Sequence, residues 1–149
     1  MNSFQNTDFS TVTDAIIFLD IDGTLINDDE FQVTDETIAK VSELKMKNQV
    51  CLCSNSRNHE RNRKVAELVQ ADYIDTDLRK PDKKILDLVD HSPFSRRVVI
   101  GDKFMTDGIF AKNIKAEFIK VSRIESESDR LYIKFLYWFD DVVSKLIKI

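Results

Sequence analysis

Asp20 and Asp22 stand two residues apart at the end of an apolar run, in "IIFLDIDGTLI". A carboxylate placed as Asp20 is can attack phosphorus. Asp22, pointing the same way, can protonate a leaving oxygen and later take a proton from water. Gly23 permits a tight turn that brings backbone close to a ligand. Thr24 can brace that turn through its hydroxyl. Further along, Ser54 in "CLCSNS" offers a hydroxyl and the N–H groups of the next turn to a phosphoryl oxygen. Asn55 joins it as a phosphate-binding candidate, and Ser56 and Arg57 follow in the same loop. Lys80 in "LRKPDKK" can bring a positive charge to the same anion. Asp102 and Asp107 in "GDKFMTD" add two carboxylates around the entry to a helix.

If Asp20, Asp22, Asp102 and Asp107 meet, their repulsion raises some of their pKa values sharply. Hard oxygen ligands of this kind suit Mg²⁺. The cation would relieve the repulsion and let an anionic phosphate approach the nucleophile.

These groups must be delivered by the elements before them. Ile16–Leu19 reads as a strand buried on both faces, within a strand over 15–20. Helices are expected over 34–49, with Thr34 as N-cap, and over 61–71, 81–90, with Pro81 in its first turn, and 106–114. Strands are expected over 50–54, 72–75, 97–102 and 117–121. This alternation predicts an α/β fold, a Rossmann-like three-layer sandwich with a mostly parallel sheet and right-handed crossovers. Asp20, Ser54, Lys80 and Asp102 each follow a strand, so they converge on the carboxyl edge, where such sheets bind ligands.

In this order the motifs resemble those of the haloacid dehalogenase (HAD) superfamily, over roughly residues 15–121. The resemblance implies Asp20 as nucleophile and Asp22 as acid/base. Mg²⁺ would be held by Asp20, the backbone carbonyl of Asp22 and Asp102, with Asp107 direct or through water. Ser54 and Lys80 would bind the transferred phosphoryl. "SNS", "KPDKKIL" and "VVIGDKFMTDGIFAKN" look most like subfamily IIIA phosphatases, which include phosphatidylglycerophosphate phosphatase-like proteins; those usually carry Asn where Gly23 stands. The "INDDEFQV" between Leu25 and Thr34 leaves room for a flap only, so the domain reads as capless. An open site favours a large phosphorylated substrate or a partner subunit that completes the wall.

The 149 residues suit one domain, 1–149. The net charge of −4 argues against non-specific nucleic-acid binding, without excluding a local basic patch. The N-terminus has neither the basic start nor the apolar core of a signal peptide, and no run reaches bilayer length, so a cytoplasmic protein is expected. Cys51 and Cys53 are read as reduced, buried and on opposite faces of their strand. His59 and His91 read as surface residues. "RIESESD" reads as a solvated connector to an amphipathic helix over 128–149. Its stripe of Tyr132, Phe135, Phe139, Val142, Leu146 and Ile149, with Leu136 and Val143 beside it, is expected to pack on the body, with a homo-oligomer or membrane contact as the rival. Its Asp140–Asp141 pair counts against an anionic lipid surface. The helix is expected to serve solubility or assembly rather than chemistry.

The expected activity is Mg²⁺-dependent phosphomonoester hydrolysis through an aspartyl-phosphate. A phosphotransferase shares the first half-reaction. A non-catalytic module docking through the aromatic helix is the alternative from another class.

Overall fold

The computed structural model describes residues 1–28, 30–124 and 131–147. The first strand, β1 (Ala15–Leu19), is buried at all five positions. Each of its large side chains contributes about 1.5–3 kcal/mol by leaving water. Strand alternation sends Ala15, Ile17 and Leu19 to one face of the sheet and Ile16 and Phe18 to the other. On the first face they meet Val41 and Leu44 of α1 (Asp35–Lys45) and Val65, Ala66 and Val69 of α2 (His59–Val69). On the second they meet Ile85, Phe110, Ala111 and Ile114.

β2 (Gln49–Leu52), β3 (Asp72–Tyr73), β4 (Arg96–Gly101) and β5 (Glu117–Lys120) complete a five-stranded sheet in the order β3-β2-β1-β4-β5. Every pairing is parallel. This is the α/β, Rossmann-like three-layer sandwich expected. No domain is inserted within the described residues. The described residues of the connection 27–34 form no helix or strand, and one short helix lies between Lys80 and β4.

Register sets the strand ends level. Leu19 sits opposite Leu52 on one side and Ile100 on the other. Asp20 N–H donates to the Ile100 carbonyl at 3.0 Å, and Cys53 N–H to the Leu19 carbonyl at 2.9 Å. Ser54 and Asp102 therefore flank Asp20 at one edge. The chain runs outward from β1 through β2 and β3, then crosses to β4, so the topological switch lies between β1 and β4, beside these groups.

Several elements differ from expectation. The helix expected at 81–90 is a 3₁₀ helix, Lys83–Leu88, whose Asp82 carboxylate caps the Lys84 N–H. The helix expected at 106–114 starts earlier, as a π-helical turn, Phe104–Gly108, followed by α3 (Ile109–Asn113). α2 begins two residues early because Asn58 caps it, accepting from the Arg61 N–H at 3.2 Å. Cys51 and Cys53 share one face, as side chains two apart on an extended strand do; both are buried and free. The N-terminal segment belongs to the core, with Phe4, Phe9 and Val12 buried against the α1–α2 layer.

The C-terminal helix, α4 (Leu131–Ile147), does not bury its stripe as expected. Phe135 is 59% exposed, Trp138 60%, Phe139 48% and Leu146 77%. The helix docks instead through Asp140, buried against the Phe104–Gly108 turn, and Tyr137. Ile149, the Tyr132 side chain and most of the expected connector lie outside the described residues.

Candidate active site

Asp20, Asp102 and Asp107 are all buried, and one carboxylate oxygen from each lies within 4.8 Å of the others. Asp20 and Asp102 come from adjacent strand ends. Asp107 comes from the π-helical turn, which lies so close to β4 that a Cβ on Gly101 would collide with the Asp107 carboxyl. Gly23 has φ +80°, and a Cβ there would collide with Asp102 Oδ2. Its glycine therefore meets two demands, the left-handed turn and the approach of a carboxylate. The Thr24 hydroxyl lies 3.3 Å from Asp20 Oδ2 and 3.5 Å from Asp102 Oδ1. It braces the carboxylates and not only the turn.

Asp102 Oδ2 is buried and has no hydrogen-bond partner among the described residues. Burial, and then the charges of Asp20 and Asp107, push the Asp102 carboxyl well above its ordinary range. Burial and Asp20 push Asp107 up to about 6, against the pull of Lys80. An orphaned oxygen beside two further carboxylates is a donor set that suits a hard divalent cation, so the residues fit Mg²⁺.

Lys80 is 4% exposed. Its Nζ donates to Asp20 Oδ1 at 2.8 Å and to Asp107 Oδ1 at 2.6 Å. Burial alone would lower its pKa, but Asp107 and Asp20 overcome this and raise it well above the ordinary value. An ammonium carries three donors, so one remains for a ligand. Asn55 clamps this lysine. It accepts from the Lys80 N–H at 2.7 Å and donates to the Lys80 carbonyl at 3.0 Å.

Asp22 stands apart from the three-carboxylate cluster. Its Oδ2 accepts from the Ser54 hydroxyl at 3.3 Å and from Arg61 Nη1 at 3.2 Å, while Arg61 Nη2 donates to Oδ1. Arg61 is 6% exposed, and its Nε donates to the Glu30 carbonyl at 2.7 Å. The charge count made from sequence therefore changes: three carboxylates crowd together, the fourth is neutralised, and Lys80 is not the sole cation. Sequence reasoning passed over Arg61 because "HERNRK" reads as a solvated helix start. Asn58 was the missed signal, since a cap there puts Arg61 in the first turn, at the ligand edge of the sheet.

These groups open onto a cavity of about 240 Å³, lined by Asp20, Asp22, Asp28, Asn55, Ser56, Lys80, Lys103 and Thr106. Ser54 borders it, donating to Asp22 and accepting from the Ser56 N–H at 3.0 Å. Arg57 is not among the lining residues. Cys53 lies beneath, its thiol pushed up to about 12 by burial, which suits an inert core group. His59 bonds Tyr73 Oη at 2.6 Å and Asp77 at 2.8 Å, away from this site. Asp140 and Tyr137 of α4 were also missed. Tyr137 sits between Lys103 Nζ, 4.7 Å from its ring centroid, and the Arg123 guanidinium at 3.5 Å. Its hydroxyl is raised above its ordinary range by burial and then by Asp102.

Residues 17–76 match the family described as haloacid dehalogenase-like hydrolase. That stretch holds Asp20, Asp22, Ser54, Asn55 and Arg61. No curated protein matches the chain. Among solved structures, a chain of the Pnkp1/Rnl/Hen1 complex aligns with a TM-score of 0.51 at 15% identity, over 85% of this chain and 51% of that one. This chain thus spans about half the length of that relative, and the likeness is one of fold. No helix among the described residues is long and apolar enough to cross a membrane. The family match, the parallel sheet and the buried aspartate cluster fit a hydrolase of the haloacid dehalogenase superfamily.

Proposed function

We propose that this domain is a Mg²⁺-dependent phosphomonoester hydrolase that works through an aspartyl-phosphate. The observation that carries the reading is the juxtaposition of Asp20 with Lys80 on one side and the partnerless Asp102 Oδ2 on the other. A carboxylate beside a buried ammonium and a cation-binding pair is suited to meeting a phosphoryl group.

Asp20, Asp102 and Asp107 would hold the metal, with the Asp22 carbonyl as the resemblance implies. When bound, Mg²⁺ would neutralise the cluster and stabilise charge on the phosphoryl oxygens. The protein's own steps are as follows. A carboxylate oxygen of Asp20 forms a bond to phosphorus as the bond to the leaving oxygen breaks. Asp22, protonated at that stage, gives its proton to the leaving alkoxide. Water then gives a proton to Asp22 and attacks phosphorus, releasing phosphate and the Asp20 carboxylate. Lys80, held by Asn55, offers its remaining N–H to the phosphoryl oxygens. Ser54 and the loop after it would hold the same group.

Arg61 donates to both carboxylate oxygens of Asp22, so neither is free to hand a proton to a leaving group. The arrangement seen here is suited to the base role, and the acid role requires the pair to part. The cavity takes a small anion, and the remainder of a substrate would lie outside it, in keeping with a large or extended phosphomonoester. The test is hydrolysis of p-nitrophenyl phosphate with Mg²⁺, with chelator, and with Asp20→Asn. Turnover should need the metal and vanish in the variant, whose fold should be kept. Full activity in chelator, or in Asp20→Asn, would reject the reading.

A further inference from the structure

The turn that carries Asp107 is anchored from far along the chain. The first N–H groups of a helical segment have no acceptor within it. Here the Phe104 N–H donates to Asp140 Oδ2 and the Met105 N–H to Asp140 Oδ1, both at 2.7 Å. Asp140 belongs to α4 and is 5% exposed. Lys120 Nζ lies 3.5 Å from its carboxylate and balances the charge. The same turn is closed from inside, since the Asp107 N–H donates to the Lys103 carbonyl at 2.9 Å and the Lys103 N–H to Asp107 Oδ2 at 3.2 Å. The turn is thus held at its start by Asp140 and at its end by Asp107 itself, which leaves Asp107 Oδ1 aimed at Lys80. Tyr137, one helical turn before Asp140, makes a second contact with Lys103.

We infer that Asp140 is a positioning residue for the metal-holding carboxylates, so that α4 is part of the active-site machinery and not only an assembly element; this rests on the hydrolase reading above. Charge-assisted bonds to both N–H groups fix where the turn begins. Without them the buried Phe104 N–H and the part-buried Met105 N–H both lose their acceptor, the turn relaxes, and Asp107 loses its place relative to Asp20 and Asp102. Mg²⁺ demands near-octahedral geometry, so its affinity should fall before the fold does.

Asp140→Asn keeps the shape but turns one acceptor into a donor facing an N–H. Binding of Mn²⁺ to the full chain without substrate, read by the electron paramagnetic resonance signal of the free ion, should weaken by about 10- to 100-fold. With p-nitrophenyl phosphate and saturating Mg²⁺, kcat should fall while KM stays within about twofold, the split expected when transition-state geometry is lost but substrate contacts are kept. Asp141→Asn, on the same helix but bonded among the described residues to Lys120 alone, at 2.7 Å, should match the parent in both measurements. Parental Mn²⁺ affinity and kcat in Asp140→Asn would overturn the inference. If that variant fails to fold, Asp140→Ser, which keeps one acceptor oxygen, takes its place. A serine variant that also fails to fold would assign Asp140 to whole-domain stability and overturn the inference too. A parent that binds no Mn²⁺ would sink the hydrolase reading itself, and this inference with it.

Discussion

Arg61 takes both carboxylate oxygens of Asp22, with Nη1 3.2 Å from Oδ2 and Nη2 on Oδ1. A rigid fork on a planar acceptor sets both the place and the plane of that carboxylate. Arg61→Ala should let Asp22 turn, and turnover should fall by up to about 10²-fold, the scale of a ~1 Å misplacement. Arg61→Lys keeps the charge but not the fork, so it should restore little. Steady-state rates on an alkyl phosphate and on p-nitrophenyl phosphate check this. Parental rates in both variants would remove Arg61 from the mechanism.

Asp22→Asn separates the two half-reactions. An alkyl phosphate, whose leaving alkoxide needs a proton, should stall at the first step. With p-nitrophenyl phosphate the leaving group is stable as an anion, so Asp20 should still be phosphorylated while water lacks its base. The expected signature is a burst of nitrophenolate, a slow steady state, and about +80 Da on the protein, one trapped phosphoryl group. Equal losses on both substrates with no trapped phosphoprotein would mean Asp22 is not the shared acid/base.

Lys80→Met leaves Asp20 and Asp107 buried without their ammonium. Removing one partner of a buried ion pair costs about 3–5 kcal/mol. Bound Mg²⁺ would offset part of that, so the variant's melting temperature should respond to Mg²⁺ more steeply than the parent's. The two thermal denaturation series, with and without Mg²⁺, make the comparison. An identical Mg²⁺ response would separate Lys80 from the metal-holding carboxylates.

The carboxylate cluster also sets a pH dependence. Asp107 is raised from 3.8 to about 6, and Asp102 shifts in the same direction. Between those values the metal-free native state holds protons that the unfolded chain has already released. Stability from these groups is therefore fully present below the unfolded value and lost as pH rises through the folded one. Metal-free protein should melt lower at pH 7.5 than at pH 5, and Mg²⁺ should raise the melting temperature more at pH 7.5. Differential scanning calorimetry in chelator and in Mg²⁺ measures both. An equal Mg²⁺ effect at the two pH values would go against cation binding at this cluster.

Much of this molecule was legible in the residues alone. Ile16–Leu19 is apolar at consecutive positions, and only a strand covered on both faces accepts that. The alternation of such runs with helical spacing then determined a parallel sheet, and a parallel sheet puts Asp20, Ser54 and Asp102 on one edge. Thr34 announced α1 by its side-chain oxygen. These are local signals, set by propensity, period and capping.

What only the tertiary structure decided are the pairings between distant segments. Arg61 reads like any cation on a polar helix start until α2 packs its first turn against Asp22. Asp140 reads like a solvated acid until α4 crosses the Phe104–Gly108 turn and two N–H groups find it. Phe4 and Phe9 stand in a segment with no apolar run to mark it, until they pack into the core on the helix-covered face of the sheet. The outward aromatic face of α4 reverses the usual rule for the same reason. Two hydrogen bonds to the buried Asp140, with Tyr137 set between Lys103 and Arg123, fix which side of the helix meets the body, and hydrophobic periodicity carries no record of bonds made across 35 residues of chain.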